Sequence, residues 1–248
     1  MIRRFFNGFG FIFRGRMVLQ TVPGIRVWII FPFIIQISLL GIGLYFGLSQ
    51  LQTLLMTVTS YIVTDTTGVL GALLFGFLYF VSAIIFAVMY FYFVYMISQI
   101  IASPFYSVIT EKTLTHYGLI KGVKTLRQQI AVAWRMFFAS MLRGALFMGI
   151  GVLLFVLSFI PVLNFIAAFI VFLILALDSA DFSFETMEFP LAKRWTFFKE
   201  NFIEFVGMGT FVGLTAVIPG LILFVMPLAV LGTTEFVAQK LTAKKLDA

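Results

Sequence analysis

The stretch that decides the fold is residues 144–177, GALFMGIGVLLFVLSFIPVLNFIAAFIVFLILAL, which carries no charge and has Ile160-Pro161 at its middle. Arg143 precedes it, and Lys193-Arg194 follow it. A single straight helix would separate these basic residues by the membrane, which the cytoplasmic preference of Lys and Arg disfavours. We predict two arms of about 15 residues folded at the Ile-Pro turn, each roughly 22 Å long. Such arms are too short to cross a bilayer, so the stretch is predicted to be a re-entrant helical hairpin.

A second uncharged stretch, residues 205–234, has the same organisation. Its middle is Ile218-Pro219-Gly220, and basic residues lie near both of its ends. We predict a second re-entrant hairpin whose two ends lie on the basic side of the membrane. The shared Ile-Pro turn suggests an internal repeat, which in transporters places the pathway where broken helices meet.

Two further uncharged stretches, 27–64 and 66–110, are long enough to cross a membrane as helices. We predict transmembrane helices over 25–48 and 69–101, the second about 50 Å long and therefore tilted or protruding. The connection between them carries almost no charge, whereas residues 105–143 are rich in Lys and Arg. That segment is predicted to be helical and cytoplasmic or interfacial, which places the N-terminus in the cytoplasm.

The composition favours an all-α integral membrane protein. Hydrophobic residues make up 62% of the chain and charged residues 11%, compared with roughly a quarter charged in soluble domains. Lipid offers the backbone no hydrogen-bond partners, so the spans must be helical, and no alternation with period two indicates a barrel. Residues 1–22 interleave Phe with Arg and are predicted to form an interfacial helix. We therefore predict one membrane domain, 1–248.

Several short motifs, in order along the chain, resemble those of the CysZ-type sulfate permease family. Pro23-Gly-Ile-Arg26 is similar to the family's Pro-Gly-(Leu/Ile)-Arg entry to the first membrane helix. Ile101-Ala-Ser-Pro-Phe105 with Glu111 is similar to its Ala-Pro-Phe segment and following glutamate. The remaining matches, to its acidic-aromatic loop and its last hairpin, are Asp181-Phe-Ser-Phe184 with Pro190, Ile218-Pro219, Met226-Pro227 and Gly232-Thr233.

The resemblance implies an oligomeric sulfate importer of the bacterial inner membrane that supplies cysteine biosynthesis. It also implies an anion site at the turn of Gly24, Ile25 and Arg26. The chain departs from the family pattern at two positions: Val27 stands where a second Arg is frequent, and Ile222 where the last hairpin has an Asn. A divergent member that carries a different anion is an alternative.

The turn at Gly24, Ile25 and Arg26 also makes physical sense as an anion site. The free N–H groups and positive dipole at a helix start favour a tetraoxyanion, and arginine can add a charge-assisted contact. The competing interpretation is a juxtamembrane arginine that orients the span or binds a lipid phosphate. Two other polar residues, Gln99 and Glu111, are candidates for lining the pathway, although a solvated charge is the simpler reading of Glu111.

Catalysis finds little support in the sequence. His116 is the only histidine and cysteine is absent, so the usual zinc and nucleophile sets are missing, and no cofactor or metal is expected. The acidic residues Asp178, Asp181, Glu185 and Glu188 are read as a solvated connecting loop, not a cation site. We predict a non-enzymatic sulfate permease or channel that contacts lipids and itself but no nucleic acid. The alternative is a non-transporting scaffold or lipid-interacting protein of the same fold.

Overall fold

The computed structural model describes residues 1–62, 68–120, 126–218 and 220–246. In these ranges the chain is helical, without strands, and the all-α prediction is confirmed. The helices are α1 (Ile2–Phe9), α2 (Phe11–Thr21), α3 (Ile25–Ile62), α4 (Val69–His116), α5 (Leu126–Leu157), α6 (Pro161–Thr186), α7 (Leu191–Glu200), α8 (Phe202–Ala216) and α9 (Leu221–Leu246).

Four of the described helices contain stretches long and apolar enough to cross a membrane: Ile25–Tyr45, Val69–His116, Pro161–Thr186 and Leu221–Lys244. Large apolar side chains cover the outer surface of α3 and α4, and Leu70 is 72% exposed. An apolar surface of this size is stable only against lipid or another protein. The chain is therefore a multi-pass membrane protein.

Helices α3 and α4 are antiparallel neighbours and are longer than the predicted spans. Phe31 stacks on Phe105 near one end of the pair, and Gly43 lies against Tyr90 farther along. Helix α4 has 48 residues, about 72 Å, and continues past residue 101 through Pro104. Proline leaves the carbonyl of residue i−4 without its N–H partner, but the Ser103 hydroxyl donates to Ile100 O at 2.8 Å. The helix therefore continues into the segment that we predicted to begin at residue 105.

The two predicted turns separate α5 from α6 and α8 from α9. Ile160 is extended and Pro161 is the first residue of α6, where its missing N–H costs nothing. In the second turn Gly220 has a φ of 81°, whereas Pro219 lies outside the described residues. Helices α6 and α9 each have 26 residues, more than the predicted 15, because both continue beyond the uncharged stretches. The depth to which the hairpins enter the membrane stays a prediction.

The acidic residues predicted to form a loop lie mostly on helix α6, which extends to Thr186. Asp178 is buried, and Asp181 forms an ion pair with Arg194 of α7. The helix continues because its last turns pack into the protein, with Phe182 and Phe184 each 2% exposed. The prediction of a solvated connector at this point was wrong.

Residues 1–22 form two helices that pack on the second hairpin, where we predicted one interfacial helix. Helix α1 lies against α8, and α2 lies against α9. Glycine permits this approach: a Cβ added to Gly207 would lie 2.1 Å from Phe5 O, and one added to Gly232 would lie 2.4 Å from Phe11 O. Because any side chain at either position would collide with backbone, these glycines are required for the packing.

A buried carboxylate also links these helices through ion pairs. Glu204 on α8 is 2% exposed. Arg4 Nε donates to its Oε1 at 2.9 Å, and Lys240 Nζ donates to the same oxygen at 3.2 Å. The hydrogen bond to Glu204 raises the pKa of the Arg4 guanidinium above its usual value, although desolvation opposes the shift. One carboxylate thus joins α1, α8 and α9.

The described core lies where the helices converge at the basic end of the molecule. One cluster joins α2 and the second hairpin through Phe11, Phe205 and Phe236. The other joins the start of α3 to α4 and α6 through Ile25, Tyr106 and Phe182. The outer halves of α3 and α4 extend away from this core.

The predicted topology can be tested with single cysteines, because the chain has none of its own. Ala192→Cys and Ala243→Cys, both at exposed positions, should react with an impermeant maleimide only from the cytoplasmic side, since both lie at the basic ends of the hairpins. Ser60→Cys at the far end of α3 should react only from outside. Labelling of Ala192→Cys from outside in correctly inserted protein would contradict the hairpin arrangement.

The glycine packing predicts an unequal response to two alanine substitutions. Gly207→Ala should lower stability by about 1–3 kcal/mol, because its Cβ collides with the backbone of α1. Gly149→Ala in α5, where nothing lies within 4 Å of the added Cβ, is the matched control and should be neutral or slightly stabilising. Thermal unfolding in detergent, followed by size-exclusion chromatography, measures both. Equal thermal stability of the two variants would show that α1 does not pack closely on Gly207.

Candidate anion site

The turn between α2 and α3 places Gly24 at an open helix start. Helix α2 ends at Thr21, Val22 is extended, and Gly24 has a φ of 70°. Nothing lies within 4 Å of a Cβ built on Gly24, so the glycine serves backbone conformation and access, not packing. Ile25, the first residue of α3, is fully buried and fixes the position of the helix start. The Ile25 N–H donates to Val22 O at 3.5 Å, whereas the next amides of α3 have no intrahelical acceptor and follow an exposed glycine.

Arg26 is partly committed to the protein itself. Its Nε donates to Leu19 O at 2.9 Å, which supplies one unpaired carbonyl near the end of α2 with a donor. The side chain is exposed. This contact occupies one edge of the guanidinium, and an arginine has further N–H donors at its two terminal nitrogens. Arg26 can therefore close the turn and still offer donors to an anion.

A cavity of about 260 Å³ lies beside the turn. Its lining combines the first part of the turn with one face of the last turns of α4: Val22, Pro23, Val108, Glu111, Lys112, Thr115 and His116. The fold thus brings Glu111, a predicted pathway residue, next to the predicted anion turn. Lys112 and His116 were not predicted for the site. Val108, Lys112 and His116 follow one another at four-residue steps, as do Glu111 and Thr115, so all five lie on one helix face.

Gln99, the other predicted pathway residue, is not part of this cavity. It lies three helical turns before Glu111 on α4, about 18 Å along the axis. Its Oε1 and Nε2 are buried and make no hydrogen bond within the described part of the chain. An unsatisfied amide at membrane depth costs free energy, so Gln99 remains a candidate for contact with water or a permeating ion.

A set of buried hydroxyls joins three helices close to the cavity. The Ser183 hydroxyl of α6 donates to Thr234 Oγ1 of α9 at 2.9 Å. Thr110 Oγ1 of α4 lies 3.4 Å from the same Thr234 atom. All three side chains are fully buried, so these hydroxyls link α4, α6 and α9 within the protein interior. We call these three residues the hydroxyl seam.

Glu235, next to the hydroxyl seam, is a buried carboxylate that sequence reasoning did not single out. It is 3% exposed. Gln239 Nε2 donates to its Oε1 at 2.7 Å, and the Tyr117 hydroxyl donates to the same atom at 3.5 Å. The sequence offered one signal for Glu235, namely a carboxylate directly after the apolar run 205–234. The burial of Glu235 could not be predicted, because it depends on the packing of α9 against α4 and α6.

A comparison with known protein families finds a family that the chain resembles over most of its length. A family model described as "Sulfate transporter CysZ/Etoposide-induced protein 2.4" matches residues 4–227. The matched range begins in α1 and ends within α9. It includes the turn at Gly24, the residues that line the cavity, and both hairpin turns. Thr234 and Glu235 lie beyond it.

The hydroxyl seam predicts a stability cost for a substitution that conserves shape. Thr234→Val should destabilise the protein by about 1–3 kcal/mol, because the buried Ser183 hydroxyl loses its acceptor. Thr57→Val is the matched control: its hydroxyl is exposed and donates only to the Thr53 carbonyl, one turn earlier. Thermal unfolding of both variants in detergent measures the difference. A Thr234→Val protein as stable as Thr57→Val would show that the seam contributes nothing.

Proposed function

The chain belongs to the sulfate transporter CysZ/etoposide-induced protein 2.4 family, and from that membership we propose that it is a permease or channel for sulfate or a similar small oxyanion. The proposal places it in the bacterial inner membrane with its N-terminus in the cytoplasm. It assigns the chain a homo-oligomeric state, a role in supplying sulfate for cysteine biosynthesis, and no catalytic activity.

The structural observation that supports the proposal is the open turn at Gly24. Gly24 has a φ of 70° and open space where a Cβ would lie, which lets an anion approach the amides that follow Ile25 at the start of a 38-residue helix. Those amides and the helix dipole stabilise negative charge without a titratable group. The anion held there is proposed to be a tetraoxyanion, which accepts several hydrogen bonds at once.

The adjacent cavity supports a route for the anion on the basic side of the membrane. Its volume of about 260 Å³ is many times the roughly 10–15 Å³ needed to admit one water. Lys112 contributes a positive charge to the lining, and Glu111 a negative one. A lining with both positive and negative charges keeps the anion from binding very tightly. Conduction requires this, because the anion must also be able to leave. We propose that the anion passes between the turn and this cavity.

One observation favours the second candidate, a non-transporting scaffold or lipid-interacting protein. Arg26 already has a structural role, because its Nε is bound to Leu19 O. Val27, at the position where the family often has a second arginine, is 58% exposed and offers no charge. Under this alternative Arg26 only closes the α2–α3 turn, and no anion binds.

Uptake of radiolabelled sulfate into liposomes that contain the purified protein tests the proposal. We expect saturable, protein-dependent uptake that Arg26→Ala lowers about tenfold or more, the effect of losing a charge-assisted hydrogen bond. Arg26→Lys should retain part of the flux, because it keeps a cation but loses the planar fork. Phosphate added as a competitor reports whether the site selects among oxyanions.

The matched control is Arg16→Ala, which removes an exposed arginine from α2 and should leave the flux unchanged. Size-exclusion chromatography checks that each variant is folded. Absence of flux above empty liposomes, in folded and inserted protein, would favour the scaffold alternative. Equal losses with Arg16→Ala and Arg26→Ala would show that the effect is one of general surface charge and not of the turn.

A further inference from the structure

Helix α7 connects the two hairpins and has two unlike faces. Phe197 and Phe198 are 6% and 7% exposed and pack into the cluster formed by α2, α6, α8 and α9. On the remaining surface Leu191 is 80% exposed and Trp195 55%. A large aromatic ring and a leucine left uncovered on a ten-residue helix indicate a surface that another apolar medium covers.

Two lysines of α7 are each held over an aromatic ring. Lys193 Nζ is 3.8 Å from the centre of the Phe189 ring, and Lys199 Nζ is 5.2 Å from the centre of the Trp195 ring. Each ammonium is thus held next to an aromatic face by a cation–π contact. The third basic residue of the helix, Arg194, is engaged inward by Asp181 and by Phe189 O. The exposed positive charge of α7 therefore comes from Lys193 and Lys199.

The carboxylate at the end of α7 is engaged by a lysine of α9. The carboxylate of Glu200, at the end of α7, lies 3.3 Å from Lys244 Nζ. The exposed surface of α7 thus combines Leu191 and Trp195 with Lys199 beside them, while Lys193 adds a second cation on the opposite flank of the helix. An anionic lipid has the complementary structure, because its phosphate lies directly above its acyl chains and juxtamembrane lysines attract such lipids.

We propose that α7 binds anionic phospholipid at the cytoplasmic face of the membrane. Trp195 and Leu191 contact the upper acyl chains and Lys199 contacts the phosphate beside them, while Lys193 supplies a second cation to the headgroup layer from the opposite flank of α7. Aromatic residues with one wet edge prefer this depth of the bilayer. The inference rests on the membrane location of the chain and is independent of whether the chain carries sulfate.

The beginning of α1 extends the same surface. Arg4 Nη2 donates to the Glu200 carbonyl at 2.6 Å, which places the start of α1 beside the end of α7. Ile2 is 75% exposed and Phe6 63%, so α1 also presents apolar side chains outward. Because α7 follows α6 and precedes α8, a lipid contact at α7 holds one end of each hairpin at the membrane surface.

Fluorescence of Trp195 tests the proposal in the full-length protein. Trp28→Phe/Trp134→Phe leaves Trp195 as the only tryptophan. The variant is reconstituted in vesicles of phosphatidylcholine with brominated phosphatidylcholine or brominated phosphatidylglycerol, and quenching is compared. We expect both lipids to quench, with phosphatidylglycerol favoured roughly fivefold or more, as basic residues near the surface predict. Bromines near the headgroup should quench more strongly than bromines near the chain end.

Lys193→Gln/Lys199→Gln should reduce the preference for phosphatidylglycerol to nearly one, with quenching itself retained. Arg16→Gln, which removes an exposed charge elsewhere, is the control and should leave the preference intact. Absence of quenching by both brominated lipids would overturn the proposal and indicate that water or a second copy covers α7. Equal quenching by the two lipids before the lysines are replaced would overturn the anionic site. This test does not measure sulfate flux, so its result remains valid even if the chain proves not to transport sulfate.

Discussion

The packing of the N-terminal helices on the second hairpin is the constraint on which the rest of the structure depends. Helices α1 and α2 approach α8 and α9 so closely that Gly207 and Gly232 leave no room for a side chain. Glu204 adds a buried carboxylate that binds Arg4 and Lys240. A buried charge is tolerated only when it is paired, so the carboxylate specifies which helices meet as well as holding them together.

This packing also determines where the candidate anion site lies. Helix α2 ends against α9, and the turn that follows brings Ile25 into the core beside Tyr106. The start of α3 is therefore held from within the protein, while Gly24 on its outer side stays open. The same arrangement brings the last turns of α4 alongside, which creates the cavity lined by Glu111 and Lys112. An accessible helix start on a rigid support can bind an anion without prior rearrangement.

The two ends of each hairpin lie in different environments. Their tips are apolar and uncovered, with Phe159 74% and Val217 72% exposed. Their other ends are held by the buried hydroxyls of Ser183 and Thr234 and by the short helix α7 between them. Uncovered apolar tips and a cationic, aromatic base fit the predicted entry of the hairpins into one leaflet, which stays a prediction.

The sequence by itself determined the helical class, the long apolar segments and the two hairpin turns. These follow from local rules: lipid requires each segment to satisfy its own backbone, and proline at Pro161 begins a new helix. The sequence also predicted the turn at Gly24, since only glycine enters the left-handed region easily.

Tertiary structure decided what local rules leave open. Helix α4 continues through Pro104 because the Ser103 hydroxyl reaches Ile100 O and its last turns are buried. The pairing of Glu204, the hydroxyl seam and the meeting of Glu111 with the turn required partners distant in sequence, whose approach depends on the packing of whole helices.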